Sequence, residues 1–484
     1  MAVNKNIDMV SIICDALGTE KGPKYQKIAT RLQRQIHIGK LSHGRKLPAH
    51  RELAYQLGVT PGTISRAYSE LEKIGVVFSR VGDGTYVKGF EQRALEGEGF
   101  KNAIQANDSL IDLSRNKHIP LQDDRLLSQT LTQLALEPTV LNEIFDYTPE
   151  AGQPRHQQAG AHWIKLSGIE VESNEVICTN GAQHALTVCL PSVLRRGEIL
   201  ATEHLSYPGL ISAARLLGIR LFALSMDEEG IVPESLEEAC LTHRISALYC
   251  TPTMQNPTAS TMSAKRRQDI ALVCRKYNLI VIEDEAHGVL ASRRPPALQA
   301  YIPERTLLIT SLSKAVSGGL RVGFIHSPEA LWCRIAGAVR ASCWMATPLS
   351  LEIATRWIFD GTASSLKDQQ IAEIRRRKSL VSSLLEGFNF QTLENCSHYW
   401  IEIPEPWRAS EIEKALEDKN ILVKSSESFA VGRREVPQFI RACVSSAKDD
   451  EQLTKGFRAF STILRDLPQQ DLLPHQHAFC TQVL

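Results

Sequence analysis

The stretch SLSKAVSGGLRVG, residues 311–323, places Lys314 and Arg321 seven positions apart around a pair of glycines. It lies between two short apolar runs, Leu307–Ile309 and Val322–Ile325. Runs that are apolar throughout, rather than alternating with polar residues, are typical of buried strands in a mostly parallel sheet. The stretch therefore predicts two buried strands joined by a loop that carries two cationic side chains.

Apolar runs of the same kind recur upstream of this stretch. They are Val176–Cys178, Ile199–Thr202, Ala247–Cys250 and Ile280–Ile282. Helical stretches alternate with them from residue 111 onward, and this alternation predicts an α/β body around a mostly parallel sheet. In such a sheet the functional groups lie in the loops at the carboxyl ends of the strands.

The loops after these runs carry polar side chains. Thr179–Gln183 leads into a helix whose N–H groups can receive an anion, although the same sequence is also a common strand-to-helix turn. Tyr207 in HLSYPGL and Asn256 in TPTMQNPT lie in later loops. Asp284 and His287 follow an apolar run in VIEDEAH. A carboxylate at such a position more often binds a metal or caps a helix than holds a cofactor.

Taken together, these residue types match the needs of one cofactor. A lysine amine in an apolar pocket can form a Schiff base with an aldehyde, and a carboxylate can keep a pyridine nitrogen protonated. An arginine and a helix N-terminus can hold a phosphate, while an asparagine can orient a phenolic oxygen. Each element alone is weak, but their order and spacing together indicate pyridoxal 5′-phosphate (PLP).

A compact pattern between residues 23 and 87 precedes this body. Thr60 is a good N-cap, and Pro61 suits the first helical position because it has no N–H to lose. The predicted elements are a helix with Tyr25, Ile28, Leu32 and Ile36 on one face, a helix over Ala49–Leu57, a helix from Thr60 with a stripe of Ile64, Ala67, Tyr68, Leu71 and Ile74, and strands Val76–Ser79 and Thr85–Val87. Three helices followed by a hairpin predict a winged helix-turn-helix.

The third helix of such a unit enters the major groove of DNA. The basic or polar residues predicted to face DNA are Thr63, Ser65 and Arg66 on that helix, Arg51 on the second helix, and Arg80 and Lys88 near the wing. Residues 1–90 hold 14 Lys+Arg against 7 Asp+Glu, whereas the remainder holds 41 against 47. This asymmetry favours a polyanionic partner for the N-terminal part. The alternative is a small helical packing domain with a solvated basic face.

The composition of the 484-residue chain is that of an ordinary soluble protein, with 43% hydrophobic and 23% charged residues. It excludes collagen, a mucin-like stalk and a mostly disordered chain. No apolar run approaches a membrane span, and MAVNKNIDMV lacks a secretory signal pattern. The 11 cysteines form no CxxC pair, which predicts reduced thiols in a cytoplasmic protein without structural zinc or another metal.

The N-terminal pattern resembles a known family. LPAHRELAYQLGVTPGTISRAYSELEKIGVV, followed by GDGTYV, is similar to the GntR-type winged helix over about 65 residues. In that family the arginine of the RELA element, the start of the recognition helix and the wing glycines contact DNA. These positions correspond to Arg51, Thr60, Thr63 and Gly82. Pro61 stands where the family often has arginine, so we expect a different operator.

Residues 111–466 resemble the fold type I, aspartate aminotransferase-like PLP enzymes, in which a smaller α/β subdomain accompanies the large sheet. The resemblance implies that Lys314 forms the internal aldimine and that Asp284 pairs with the pyridine nitrogen. It implies that Asn256 hydrogen-bonds the ring oxygen and that Tyr207 stacks on the ring. The phosphate would be held by Arg321, Ser311 and the Ala182–Gln183 backbone. It further implies that Arg441 in FIRACV binds a substrate carboxylate. Tyr147 in YTPEAGQPR would reach the phosphate of a partner subunit, which implies a homodimer. HYWIEIP, from His398, resembles the first strand of the smaller domain.

The body departs from this family at three places. His287 stands where tyrosine is usual; it can still donate to the ring oxygen, but its ordinary pKa is about 6.5. Ala259, after NPT, stands where the family commonly has glycine. The segment SGGLR, which leads to Arg321, stands where the family more usually has a segment that contains proline.

A GntR-type winged helix followed by an aminotransferase-like body is the layout of the MocR subfamily of bacterial regulators. The predicted organisation is a DNA-binding domain at 20–88, a linker at 89–110, a PLP-binding domain at 111–466, and a tail at 467–484 that matches nothing and is predicted to be disordered. The resemblance implies a PLP-dependent transcriptional regulator that binds operator DNA and senses an amino compound. Two alternatives stay open: a working aminotransferase that its DNA-binding domain only localises, and a regulator of vitamin B6 supply for which PLP is the signal.

Overall fold

The computed structural model describes residues 23–37, 41, 45–73, 76–80, 84–87, 110–121, 124–166, 168–292, 294–432 and 435–466. The chain divides into two compact units, Met1–Glu98 and Gly99–Leu484. Several predictions fall outside the described residues: the linker as far as residue 109, the tail at 467–484, the wing glycine Gly82, Lys88 near the wing, and Ile74 at the end of the predicted third helix.

The N-terminal unit contains the predicted winged helix-turn-helix. Its helices are Lys24–His37, His50–Gln56 and Pro61–Lys73, and its antiparallel strands are Val77–Arg80 and Gly84–Val87. The apolar stripes of the three helices meet in one core, which includes Ile28, Leu32, Leu53, Ile64 and Leu71. Pro61 opens the third helix as predicted. The Tyr68 hydroxyl donates to the Pro48 carbonyl at 3.0 Å, which holds the third helix against the loop before the second.

The large unit is built on a seven-stranded sheet. The strand order is Val176–Thr179, Gly323–His326, Thr306–Ser311, Ile280–Asp284, Ile245–Cys250, Ile199–Glu203 and Arg220–Leu224. Gly323–His326 runs antiparallel to both of its neighbours, and the other paired strands are parallel. The prediction of an α/β fold with a mostly parallel sheet is confirmed, and each predicted strand falls on an observed one.

Among its described residues, the large unit has eleven α-helices ahead of the smaller subdomain, of which the five between Ala182 and Tyr301 connect strands of the sheet. They are Asp124–Ala135, Pro138–Phe145, Pro154–Lys165, Ala182–Val193, Pro208–Leu217, Pro233–Thr242, Ala264–Lys276, Leu298–Tyr301, Glu329–Cys343, Pro348–Phe359 and Thr362–Val381. Buried residues of the strands pack against two sets of them: Ile282, Leu307 and Ile325 belong to a core with Leu186 and Leu210, and Leu248 and Val281 belong to a core with Ile270. The sheet is therefore buried on both faces, as its apolar strands require.

A smaller α/β subdomain follows. Its four-stranded antiparallel sheet has the order Phe390–Gln391, His398–Glu402, Phe439–Cys443 and Lys424–Ser425, and its helices are Ala409–Glu417 and Asp450–Arg465. Two short pairs of strands complete the unit: Ile111–Asp112 with Ile421–Leu422, and Met226–Asp227 with Gly230–Ile231. His398 begins a strand of this sheet, as the family resemblance implied.

No helix in the described part of the chain combines the length and the apolarity that crossing a membrane requires. The nine cysteines among the described residues are all unpaired thiols.

Candidate functional site

The carboxyl ends of the central strands share one pocket. Nine of the residues predicted from the sequence line it: Ala182, Gln183, Tyr207, Asn256, Asp284, His287, Ser311, Lys314 and Arg321. The structure adds four that were not predicted: Tyr249, Thr251, Ala286 and Ser313. These residues come from distant parts of the chain, and the parallel strands bring them together because their carboxyl ends meet at one edge of the sheet.

Asp284 forms the floor of the pocket at the end of its strand. The carboxylate accepts a hydrogen bond from the Tyr249 hydroxyl at 2.8 Å and another from the Ala286 backbone N–H at 3.0 Å. Burial raises the pKa of Asp284, and these two donors partly oppose the effect. A cationic ring nitrogen is the partner that would best stabilise this buried carboxylate in its charged form.

Lys314 lies in the loop after the strand Thr306–Ser311. Its Nζ donates to the main-chain carbonyl of Asn116. Burial, and then the positive charge of Arg441, lowers the pKa of Lys314 to about 8. An amine with this pKa is partly neutral near physiological pH, and the neutral form is the nucleophile that attacks an aldehyde.

An anion cradle lies at the N-terminus of the helix Ala182–Val193. Gly181 precedes the helix at a φ of 82°, a conformation that favours glycine, and a Cβ there would come within 2.6 Å of Arg321 Nη2. Arg321 has a φ of 54°, which is uncommon for a residue other than glycine, and its two hydrogen bonds, to the Gly318 and Asn180 carbonyls, are both long at 3.4 Å. The cradle thus combines helical N–H groups with a cation that has only weak partners.

The residues predicted to surround the cofactor ring differ in their hydrogen bonds. His287 is buried, and its Nε2 has no hydrogen-bond partner in the described part of the chain. Burial, followed by the charge of Lys314, lowers the pKa of His287 well below its ordinary value, so the ring is neutral and can donate from one nitrogen. Asn256 Oδ1 already accepts from Arg441 Nη1 at 2.6 Å. Ala259, the residue in place of glycine, adopts a φ of 63°.

Arg441 is a buried cation without a charged partner in the hydrogen bonds it makes. Its Nη1 and Nη2 donate to Asn256 Oδ1 and to the Ser114 carbonyl, and its guanidinium lies 4.7 Å from the centre of the Phe429 ring. Its Nε is unpartnered among the described residues. A buried guanidinium held by neutral oxygens is suited to a carboxylate that arrives from solution.

The donor set fits PLP. Three buried polar atoms at the pocket lack partners in the described structure: His287 Nε2, Gln183 Oε1 and Ser313 Oγ. Buried polar atoms of folded proteins are nearly always hydrogen-bonded, so these three indicate a polar ligand. An amine, a carboxylate and a phosphate cradle around one pocket match the aldehyde, the ring nitrogen and the phosphate of the cofactor.

Tyr147 lies outside this pocket. Its side chain is 76% exposed, and its ring lies against the half-exposed Trp344, at a centroid distance of 5.5 Å. Other apolar side chains are exposed at Leu136 and Phe145, close by in the chain, and at Phe359, on a helix that contacts the helix Pro138–Phe145. Such a concentration of exposed apolar residues is typical of a protein–protein interface.

The N-terminal unit carries the predicted DNA-facing residues on its second and third helices. Arg51, Thr60 and Arg66 are exposed, and Thr63 is half-buried with its Oγ1 2.9 Å from Thr60 Oγ1. Ser65 is also half-buried, and its Oγ lies 3.1 Å from His50 Nδ1 of the second helix.

The four pocket residues that the sequence did not predict had no distinctive signal. Tyr249 lies inside an apolar run and Ala286 inside VIEDEAH, and neither type is specific for a cofactor site. Ser114 and Asn116, which bind Arg441 and Lys314 through their carbonyls, were also missed, because a main-chain carbonyl leaves no mark in the sequence.

Comparisons with known families agree with both units. The sequence profile described as "Aminotransferase class I and II" matches residues 110–460, and the one described as "Bacterial regulatory proteins, gntR family" matches residues 24–87. Two curated relatives span nearly the whole chain. The uncharacterized HTH-type transcriptional regulator YdeF of Bacillus subtilis is 29% identical over 449 residues, 92% of this chain and 95% of the relative. YdcR of Escherichia coli, described in the same words, is 26% identical over 436 residues, 84% of this chain and 92% of the relative.

Solved structures resemble the large unit. An archaeal alanine:glyoxylate aminotransferase has a TM-score of 0.68 at 20% identity and covers 84% of this chain and 95% of its own. LysN, an α-aminoadipate aminotransferase from Thermus thermophilus complexed with N-(5′-phosphopyridoxyl)-L-leucine, has a TM-score of 0.65 at 23% identity and covers 76% of this chain and 96% of its own. At these identities the likeness shows the fold.

Proposed function

The chain belongs to the class I and II aminotransferase family and carries a GntR-family winged helix ahead of that domain, the MocR-type layout, and we propose that it controls transcription according to which amino compound occupies its PLP site. The observation that carries this proposal is the pocket itself, where a lysine, a buried carboxylate and an anion cradle lie together in a chain with a DNA-binding unit. As a DNA-binding regulator it would act in the cytoplasm.

PLP supplies an aldehyde for an amine and an electron-withdrawing ring. Lys314 would hold the aldehyde carbon, Asp284 the ring nitrogen, and Tyr207 would lie against the ring. Arg321, Ser311 and the N–H groups of Ala182–Gln183 would hold the phosphate. His287 and Asn256 would lie near the ring oxygen.

The amino compound is proposed to carry a carboxylate, because Arg441 is the remaining buried cation of the site. An amine that replaces Lys314 as the partner of the cofactor leaves that lysine free, and a carboxylate that binds Arg441 changes the partners of Asn256 and Ser114. A ligand shifts DNA binding only if it binds the two DNA-binding states unequally, so these changed contacts are the basis of sensing. PLP itself is the other proposed signal.

A working aminotransferase remains the second candidate, because all the residue types of that chemistry line one pocket. Lys314, with its lowered pKa, could carry a proton to and from the substrate. Sustained conversion of a 2-oxo acid by a natural amino donor would favour this candidate, whereas a single slow half-reaction would favour the sensor.

The DNA-binding half is tested with Arg51. The probe is an operator selected from random-sequence DNA by the full-length protein. We expect Arg51→Ala to weaken binding to this operator by about ten- to a hundredfold, which is the range for loss of one bidentate base contact. PLP binding should be unchanged. The charge-matched variant Arg458→Ala, which removes an exposed arginine from the helix Asp450–Arg465, should bind DNA normally. Wild-type affinity in Arg51→Ala would show that this arginine does not contact DNA.

We also propose a homodimer whose interface includes the exposed residues near Tyr147. That tyrosine would then reach the phosphate cradle of the partner. The same residues, Leu136, Phe145 and Trp344, are exposed in the isolated chain and would be buried between two copies.

The dimer predicts a large effect at Phe145, which is 89% exposed. Phe145→Asp should weaken dimerisation by at least about thirtyfold, because a buried aromatic anchor at an interface contributes about 2 kcal/mol or more. Sedimentation velocity across a concentration series measures the change. Leu241→Asp, at an exposed leucine of the helix Pro233–Thr242, is the control and should leave the association unaltered. A monomeric wild-type protein would refute the dimer.

A further inference from the structure

Residues 114–118, of sequence SRNKH, form a segment that we name the strap. It follows the short strand Ile111–Asp112, which pairs with Ile421–Leu422. The residue between that strand and the strap, Leu113, accepts a hydrogen bond at its carbonyl from the Cys443 N–H at 2.8 Å. Asp112 Oδ1 then accepts from the N–H and the hydroxyl of Ser114, at 2.8 and 2.7 Å. The strap is thus firmly anchored at its N-terminal end, where the chain comes from the DNA-binding unit.

Two main-chain carbonyls of the strap bind the two cations of the site. The Ser114 carbonyl accepts from Arg441 Nη2, and the Asn116 carbonyl accepts from Lys314 Nζ. These are the side chains that the proposed function assigns to the ligand carboxylate and to the cofactor. Each donor therefore has two possible partners: Arg441 has the strap or the ligand carboxylate, and Lys314 has the strap or the cofactor.

Side-chain bonds hold the strap in this position. Asn116 Oδ1 accepts from Ser397 Oγ at 2.6 Å, and Asn116 Nδ2 lies 3.2 Å from His398 Nδ1. His398 Nε2 lies 2.9 Å from the Pro257 carbonyl, so Nε2 carries the proton and Nδ1 accepts from Asn116. Burial, and then the charge of Arg441, lowers the pKa of His398 to about 3, which keeps this arrangement at physiological pH.

The strap also contacts the lysine loop directly. His118 Nδ1 accepts from the Gly318 N–H at 3.1 Å, in the loop between Lys314 and Arg321. The strap is therefore bound to both sides of the pocket: to the subdomain sheet through Ser397 and His398, and to the lysine loop through His118.

From these contacts we propose that the strap and a carboxylate-bearing amino compound compete for Arg441, so that ligand binding loosens the strap and reports the state of the pocket to the chain that leads to the DNA-binding unit. This inference rests on the proposed function, because it uses Arg441 as the group that binds the ligand carboxylate. The strap is then the segment that senses the ligand, which the proposed function leaves unassigned. Competition makes the coupling reciprocal: when the strap is looser, the pocket binds the ligand more tightly.

Hydrogen exchange of the full-length protein tests the competition. The two probes are pyridoxamine 5′-phosphate, which has no carboxylate, and N-(5′-phosphopyridoxyl)-L-leucine, which has one. Each probe is added at saturation, as judged by its absorbance on the protein. We expect the peptide spanning residues 110–121 to exchange at least about tenfold faster with the leucine adduct, as loss of one or two hydrogen bonds allows. Equal or slower exchange would overturn the proposal.

Asn116→Ala provides the second test, since it frees the strap from Ser397 and His398 but keeps the main-chain carbonyl. In this variant the leucine adduct should bind about three- to tenfold more tightly than in wild type, while pyridoxamine 5′-phosphate binds as before. The difference in operator affinity between the two complexes should fall below about twofold. Asn389→Ala, which removes an exposed asparagine bonded to Glu402, is the matched control and should behave as wild type.

The outcomes separate the two proposals. If neither probe binds, the proposed function fails. If both probes bind to the wild-type protein and Asn116→Ala retains the full wild-type difference in operator affinity, the pocket is real and the strap is not its sensor. Should Asn116→Ala lose its fold, the exchange comparison on the wild-type protein still decides the question.

Discussion

Replacing Lys314 with alanine is expected to abolish covalent capture of PLP. Lys314 is the lysine of the pocket, and its lowered pKa of about 8 leaves a useful fraction of neutral amine near physiological pH. Reduction with borohydride, followed by intact-mass and peptide-mass measurements, should place one phosphopyridoxyl group on Lys314 in the wild-type protein and none on Lys314→Ala. The rate of capture should rise with pH up to about 8 and then level off, because the neutral amine is the attacking form.

Two controls isolate the role of this amine. Lys314→Arg keeps the positive charge but cannot form the bond, so it should also fail to label. Lys378 is another largely buried lysine with a pKa lowered by burial, but it lies outside the pocket and bonds Thr392. Lys378→Ala should therefore label normally. Labelling at a different lysine in the wild-type protein would contradict the assignment.

The second large effect is expected at Arg441. Arg441→Leu should weaken binding of N-(5′-phosphopyridoxyl)-L-leucine by about two orders of magnitude, since truncation of one partner in a buried charge pair costs about 2–5 kcal/mol. Binding of pyridoxamine 5′-phosphate should change by less than about threefold, because it has no carboxylate. Competition with PLP, followed by absorbance, measures both affinities.

The variant Arg441→Lys tests whether geometry matters as well as charge. A lysine keeps the charge but lacks the planar fork that a carboxylate accepts, so its affinity for the leucine adduct should lie between those of wild type and Arg441→Leu. Equal loss of both ligands in Arg441→Leu would instead indicate that the pocket had collapsed. In that case Arg441 would be a structural residue that supports Asn256 and Ser114.

Much of the fold could be predicted from the sequence because its strands are buried on both faces. Such strands are uninterrupted apolar runs, and Ile280–Asp284 and Thr306–Ser311 each include one. The third helix of the N-terminal unit was equally clear, since Pro61 follows a capping threonine and a regular stripe runs to Leu71. The antiparallel direction of Gly323–His326 was not predicted, because an apolar run does not reveal its direction.

The site was predictable where a side chain performs the chemistry. Asp284 ends a strand, Lys314 follows one and Arg321 precedes one, and the sheet brings these positions together. The main-chain contacts of Ser114 and Asn116 could not be predicted, since any residue has a carbonyl. The contact between Ser65 and His50 could not be predicted either, because helical spacing does not show how two helices pack.

We propose that one chain couples the occupancy of this pocket to DNA binding. The most direct test titrates N-(5′-phosphopyridoxyl)-L-leucine into the full-length protein on its selected operator and follows absorbance and DNA affinity in parallel. Our account predicts that operator affinity changes with the same midpoint as pocket occupancy, and that DNA shifts the affinity for the adduct by the same factor. A pocket that fills completely while operator affinity stays constant would contradict it.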